Sequence, residues 1–524
     1  MSSMPSDFTP RQRRLIMIFS LMATTMGSLD STIANVALPE IQGGLAIAPD
    51  QIGWILTSFM IATAIGTPLV GALVPKIGLR ALFVLSVTGF MVMSLACGLA
   101  TSLHQLVVFR ALQGFTAAAL MPLGQMVLYD IYPPEQMGRV ISQYSLGTLS
   151  GAVVGPSLGG FITDAASWRW IFLVNIPVGI VTIIGLLAVL PRMPPARSRP
   201  FDYLGFGFLA VALLCLQLML DRGQSKDWFR STEILTELLV GLTAFYMFMA
   251  HSVTAKYPFL DFNLFKNRNF VLGMVATFIL SLVSYMPSVV TPLFLQHVQG
   301  YGVLGTGLIL TPRFIGMAGG MLLMSRIVDK VDQRVLVSLG LGLTLCGFAS
   351  LRDLTPITPA IVLIGAGILQ ALGTSVTMVP LNLSTFTTIS SEMRPMAMAI
   401  YNLARGTSQS LGTALTLSYI SRSTEDNHVR LLQQISVYNP VMTGSMPAEW
   451  SLTNPLSLKL LSLEVWRQAS VIAYDNVFSI ACLSSIACFP IVLILRKKAQ
   501  GEYHKSAPED RQESADALDI VHAG

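Results

Sequence analysis

The sequence predicts an all-α polytopic membrane protein of fourteen transmembrane helices, built as two six-helix halves with two further helices inserted between them. Three observations carry this prediction. Of the 524 residues, 53% are hydrophobic and 12% charged, about half the charged share of roughly 25% in a soluble domain. Apolar windows long enough to cross about 30 Å of hydrocarbon recur along most of the chain. Several internal matches share nearly one offset, the signature of a duplicated unit.

The windows fall near 15–37, 52–74, 81–100, 105–130, 139–163, 170–190 and 203–220, then 233–251, 269–292, 303–325, 335–351, 358–383, 396–420 and 472–495. With the N-terminus in the cytoplasm, 21 of the 33 Lys and Arg lie in inside segments, 9 outside and 3 within spans, so the positive-inside rule favours both termini inside. The implied organisation is a cytoplasmic N-terminus over 1–14, a first half over 15–190, and a linker with the two extra helices over 191–268. A second half follows over 269–495, with a long outside loop at 421–470, and then a cytoplasmic tail over 496–524. The tail sequence APEDRQESADALD reads as a disordered, solvated end. Arg11, Arg13 and Arg14 precede the first window as in a leader peptide, but Asp30 interrupts the stretch and many spans follow.

The repeat is carried by three sets of matches. PKIGLR at 75–80 resembles DKVDQR at 329–334, an offset of 254, and Pro122 matches Pro380 at 258. Glu135, Tyr144 and Gly155 match Glu392, Tyr401 and Gly412 at 257. Parallel repeats of this kind build secondary transporters whose path lies near the midplane between the halves. Such a fold does not by itself name a substrate.

Other function classes find no support. The net charge of +5 comes from cations scattered in short runs, which make no continuous basic face for nucleic acid. Cys97, Cys215, Cys346, Cys482 and Cys488 lie in apolar segments without a CxxC pair, as packing residues do. No phosphate loop, HExxH pair or GxSxG elbow occurs. No cofactor or metal is expected, and energy would come from an ion gradient. One proton crossing roughly 100 mV supplies about 2.3 kcal/mol, enough for roughly a 50-fold solute gradient.

Six segments carry a family resemblance: LDSTIANVALPEI (29–41), GALVPKIGLR (71–80), FRALQG (109–114), GAVVGPSLGG (151–160), SWRWIFLVNIPVG (167–179) and NLARGTSQSLGTAL (402–415). Together they resemble the 14-helix drug:proton antiporters of the major facilitator superfamily, in particular the EmrB-like branch. The resemblance covers nearly the whole chain, and the ensemble is specific where a lone GxxxG would not be.

Asp30 lies about two thirds of the way through the first helix. A carboxylate at that depth is costly, so an intramembrane acid is a functional candidate by default. Burial favours the neutral form and a neighbouring cation the ionised form, so altered surroundings can make such an acid bind and release a proton. The alternative is a structural ion pair with Arg110. In the resembled family the RxxQG arrangement, here Arg110, Gln113 and Gly114, is associated with the proton relay. A guanidinium stays protonated in a protein, so Arg110 would tune the acid; snorkelling toward an interface is its plainer reading.

Gly151, Gly155 and Gly159 fall at i, i+4 and i+8 on one helix face, where small residues allow close approach, and Pro156 removes a backbone donor. Packing alone explains the glycines, while Pro156 and Gly160 fit the family's antiporter motif and imply a hinge or seal. The segment from Gly71 to Arg80 resembles the family signature G-x-L-x-D-R-x-G-R, a latch of helix ends by charge. Lys76 stands for its first basic residue and Arg80 is retained, but Pro75 replaces the acid. The second half keeps Asp329, with Lys330 and Arg334.

Arg313 and Arg405 also lie within spans, so three arginines face one aspartate there, and 270–292 holds no acid. That balance points to neutral or anionic amphipaths: weak acids, hydrophobic phenols or fatty-acid-like compounds. Tyr144, Tyr285, Met286, Phe294 and Tyr401 are candidates for an adaptable substrate cavity, against the plainer reading of each as packing.

The expected function is a proton-coupled antiporter that exports toxic amphipaths across the bacterial inner membrane. The resemblance implies a periplasmic adaptor and an outer-membrane channel as partners, with the 421–470 loop, which carries Trp450 and Trp466, as the docking element. Two alternatives stand beside it: a dedicated exporter of one endogenous metabolite or siderophore, and a non-transporting receptor or scaffold on the same fold.

Overall fold

The computed structural model describes residues 8–48, 51–191, 200–390, 392–435 and 455–494. The tail from 496 and most of the Pro- and Arg-rich stretch of the linker lie outside the described residues.

Among the described residues, the main helices number fourteen: α1 (Pro10–Gly44), α2 (Trp54–Ile77), α3 (Leu79–Leu99), α4 (Leu103–Ile131), α5 (Met137–Ala165), α6 (Trp170–Val189), α7 (Tyr203–Arg222), α8 (Thr232–Thr254), α9 (Arg268–Leu293), α10 (Gly305–Ile327), α11 (Gln333–Ala349), α12 (Ala360–Phe386), α13 (Arg394–Gln434) and α14 (Pro455–Ile494). Twelve of these described helices are long and apolar enough to cross a bilayer; α11, at 17 residues, is shorter, and α13 is polar over its last turns. Each expected window falls on a helix, and no strand occurs among the described residues.

Local chemistry sets the ends and breaks. Thr9 and Gln12 form a reciprocal capping box with Pro10 in the first turn of α1, so two of the orphan N–H groups of the helix start are met. Ser102, Asp202 and Asn267 cap α4, α7 and α9 by accepting one backbone N–H each of the first turn. Gly78, with φ of 85°, makes the sharp turn from α2 to α3 that a side chain would strain. α10 is interrupted at Thr311 before Pro312, which lacks the N–H for a continuous ladder.

The two halves repeat one packing scheme. α1 packs on α5 and α2 on α4, as α9 packs on α13 and α10 on α12. The halves meet along two seams, α2 with α13 and α5 with α10. The inserted α7 packs on α2 and α13, and α8 packs chiefly on α7, so the extra pair sits beside one seam.

The 421–470 segment differs from the expected loop. Residues 421–434 continue α13 and 455–470 begin α14. The sequence there is rich in Glu, Arg, Leu and Gln, which are good helix formers. A hydropathy window ends where the chain leaves hydrocarbon, whereas the helix continues into water.

Candidate functional site

Five side chains from four helices of the first half converge on one buried cluster. Arg110 Nη1 donates to Asp30 Oδ2 at 2.5 Å, and both side chains are essentially unexposed. Gln113 Nε2 and Asn175 Nδ2 both donate to Asp30 Oδ1, at 3.0 and 3.2 Å. The same two amides donate to Ser94 Oγ at 3.1 and 3.0 Å, and Ser94 donates to the Phe172 carbonyl at 2.9 Å. Arg110 also bonds Gln113 Oε1 at 2.8 Å and the Ile55 carbonyl at 3.3 Å. Its guanidinium lies 4.3 Å from the Phe59 ring centroid and 5.6 Å from that of Phe172.

Asp30 therefore accepts hydrogen bonds from three side chains. This arrangement suits the ionised carboxylate, since charge-assisted hydrogen bonds are the strong ones. Removing one partner of a buried ion pair costs about 3–5 kcal/mol because the other charge is stranded. A proton could instead replace the guanidinium as the neutraliser of Asp30, provided Arg110 moved away.

The glycine face of α5 lies directly on α1. A Cβ at Gly151 would meet Thr25 and Ser28, one at Gly155 would meet Thr32 and the Leu29 carbonyl, and one at Gly159 would meet Ile33. The contact is sealed by Ser28, which donates to the Thr148 carbonyl at 3.1 Å, and by Thr25, which donates to that of Gly147 at 3.4 Å. Pro156 sits inside α5. Gly160 is off this face, with only Val36 near a Cβ position.

On the face that carries the N-terminus, the halves are tied together. Asp329 Oδ1 and Oδ2 accept the backbone N–H groups of Gly138 and Arg139, each at 3.2 Å, at the start of α5. Arg394 bonds Asp130 at 2.9 Å, and Tyr129 donates to Asn382 Oδ1 at 3.0 Å. Lys330 is exposed and Arg334 begins α11 through its N–H to Asp332. In the first half, Gly71 lies inside α2 and brings its backbone against Met396 of α13. Lys76 lies over the Phe201 ring at 5.1 Å, and Arg80 donates to the Leu187 carbonyl at 2.6 Å. Neither of these two cations crosses the seam.

The proposed cavity residues separate. Tyr285 is 39% exposed, but Tyr144, Met286, Phe294 and Tyr401 are packed away. Tyr144 bonds Thr24, Tyr401 accepts from Thr277 at 3.3 Å and meets Phe386 edge-on, and Met286 and Phe294 belong to the second-half core with Phe348 and Phe478. These four are core residues in this conformation; aromatic and thioether groups are as apt for packing as for a binding wall, and periodicity does not separate the uses. Arg405 reaches across the seam to Met121 Sδ at 3.3 Å, and Arg313 joins α10 to α9. Neither forms an ion pair among the described residues.

Ser94, Asn175, Asp130 and Arg394 escaped the sequence reading as site residues. Asn175 was legible as a polar residue inside an apolar window. Ser94 gave no such signal, since serine is common in membrane helices.

The sequence pattern of the Major Facilitator Superfamily matches residues 20–413. The chain is 32% identical over 480 residues to the fatty acid resistance protein FarB of Neisseria gonorrhoeae, covering 91% of this chain and 94% of that protein. It is 31% identical over 516 residues to the multidrug export protein EmrB of Haemophilus influenzae, covering 96% and 100%. It is 33% identical over 490 residues to the probable multidrug resistance protein EmrY of Escherichia coli, covering 92% and 95%. Among solved structures, the proton:xylose symporter XylE aligns with a TM-score of 0.57 at 14% identity, covering 94% of this chain and 97% of that one.

Proposed function

The chain belongs to the major facilitator superfamily of membrane transporters, among relatives named for multidrug export, and from that premise we propose that it is a proton-coupled antiporter exporting toxic amphipaths across a bacterial inner membrane. The observation that carries the coupling is the wholly buried Asp30, held by Arg110, Gln113 and Asn175. An intramembrane acid whose counter-ion comes from another helix links its protonation to helix movement.

In this reading the face bearing the N-terminus is cytoplasmic, in keeping with the distribution of Lys and Arg. The conformation has its halves tied at that face by Asp329, Asp130 and Arg394. A proton arriving from outside loads Asp30, frees Arg110 and lets the halves rock, with the glycine seam of α1 and α5 preventing leak. Proton release inside restores the pair. Substrates are neutral or anionic amphipaths, because Arg313 and Arg405 form no ion pair among the described residues, and a relative named for fatty acid resistance fits that class. The ends of α13 and α14, helices of 41 and 40 residues, are longer than the roughly 20 residues a bilayer needs. They form the surface on which a periplasmic adaptor leading to an outer-membrane channel would dock.

Proteoliposomes with an imposed pH gradient test the coupling. Wild-type protein should drive efflux of N-phenyl-1-naphthylamine, and Asp30→Asn should abolish uphill transport. Full gradient-driven transport by Asp30→Asn would exclude this assignment.

A further inference from the structure

The internal repeat gives the Asp30 cluster a counterpart in the second half, and that counterpart lacks its acid. At offsets of 257 or 258, Asp30 corresponds to Ser288, Arg110 to Gly367 and Gln113 to Gln370. The helices correspond as well, since α10 packs on α12 as α2 packs on α4. The cation lost at Gly367 is supplied from α10: the Cβ position of Gly367 lies 3.8 Å from Arg313 Cβ. Arg313 Nη1 then donates to Ser288 Oγ, the residue in the place of Asp30, at 2.9 Å, and Nη2 donates to the Ser284 carbonyl at 3.3 Å.

Two features call for a ligand here, one at Arg313 and one at Gln370, which follows Gly367 by three residues on α12. Arg313 lies in a span with neutral partners only, whereas membrane-buried cations are normally paired. Gln370 is 1% exposed, yet neither its Oε1 nor its Nε2 has a partner, although buried amides are nearly always bonded. In the first half the corresponding Gln113 spends its Nε2 on Asp30. Ser288 and Tyr285 are exposed beside Arg313, so the Arg313 end is open to a solute where the first-half cluster is closed.

We propose that Arg313, Ser288 and Gln370 form an anion site that takes the carboxylate of a singly charged amphipath, in the position Asp30 holds in the first half. The guanidinium fork suits a carboxylate, and one cation calls for one negative charge. The apolar tail of the ligand lies along α9 and α10 past Tyr285. This inference deepens the export reading and rests on it for the role of the ligand as cargo.

Equilibrium binding of radiolabelled decanoate to the purified full chain in nanodiscs, with uncharged N-phenyl-1-naphthylamine measured in parallel, tests the site. Arg313→Gln should lower the decanoate-to-naphthylamine affinity ratio about 30-fold, the range expected for a hydrogen bond between charged groups, and Arg313→Lys should recover most of it. Gln370→Leu should lower the ratio about fivefold. Ser288→Asp, which puts an acid back where the repeat has one, should eliminate decanoate binding, while Ser288→Ala should not. Decanoate binding that ignores Arg313→Gln and Ser288→Asp overturns the site. The two readings separate in proteoliposomes: Arg313-dependent binding without gradient-driven efflux upholds the site and sinks the export reading. Efflux with Arg313-independent decanoate binding does the reverse.

Discussion

The carboxylate of Asp329 accepts the backbone N–H of Gly138 across the seam between the two halves, and among the described residues the other seam shows no equivalent bond. By the repeat, Asp329 corresponds to Pro75 and Gly138 to Pro395: one position has lost the acid and the other has no N–H to offer. Beside the second seam, Arg394 of α13 is held instead by Asp130 of α4. Asp329→Asn should therefore loosen the α5–α10 seam alone, by about 1.5–3 kcal/mol for a bond to a charged group. Hydrogen exchange at the amides of Gly138 and Arg139 should rise with no change near residue 394. Equal exchange on both seams would show that the halves part as one unit.

The second seam responds to charge. Asp130→Arg or Arg394→Asp should each favour opening of the N-terminal face, measured by maleimide labelling of a cysteine placed at Asn382. The double swap should restore closure in part. The pair is partly exposed, so its coupling is about 0.5–1 kcal/mol. A swap no better than the singles would leave the pair without an energetic role.

Space, not glycine as such, decides the α1–α5 contact. Gly155→Ala places a methyl against Thr32 and the Leu29 carbonyl, while at Gly160 the nearest atom is 3.9 Å away. Overpacking of this kind costs about 1–3 kcal/mol. Gly155→Ala should lower the melting temperature and raise proton leak in liposomes, and Gly160→Ala should do neither. Leak from Gly160→Ala would mean that the seal extends past the face that touches α1.

Much of this was legible in the sequence, for physical reasons. Charges are rare in hydrocarbon, so Asp30 and Arg110 stand out, and glycines at every fourth position mark a contact face. Pro75 could be read as a missing acid. Ser94 could not be singled out, and Asn175 stood out only as a polar residue in an apolar window, because neither has a partner to name until four helices are assembled around it. The extensions of α13 and α14 were read as loop because the hydropathy signal measures solvent, not backbone hydrogen bonding. The Asp130–Arg394 pair joins residues 264 apart, a contact that no local pattern encodes.

Outside the membrane, Asp202 offers a pH test. Burial pushes its carboxyl up, but the N–H of Gly205, the His251 ring and the N–H of Phe259 outweigh that and hold it below the usual carboxylate range. A depressed folded value contributes stability above the unfolded value, and that contribution is lost as pH falls through the folded one. Asp202→Ala should melt below wild type at neutral pH, and the gap should close as pH drops below about 4. A gap independent of pH would assign the effect to the lost α7 cap alone.

Asn175 provides the sharpest test of whether the buried cluster couples or merely packs. Its amide is the only group of α6 seen to bond both Asp30 and Ser94, so it ties the position of α6 to the charge on Asp30. Asn175→Leu keeps the volume and removes both bonds. Losing one hydrogen bond to a charged group is worth about 1.5 kcal/mol, or about tenfold. Uphill efflux driven by a pH gradient should fall by about that factor, whereas downhill counterflow, which needs no change in Asp30 protonation, should be largely kept. A packing role predicts something else: both activities fall together, in step with the amount of folded protein. Selective loss of the uphill component is therefore the result that identifies Asn175 as a positioning residue for the acid.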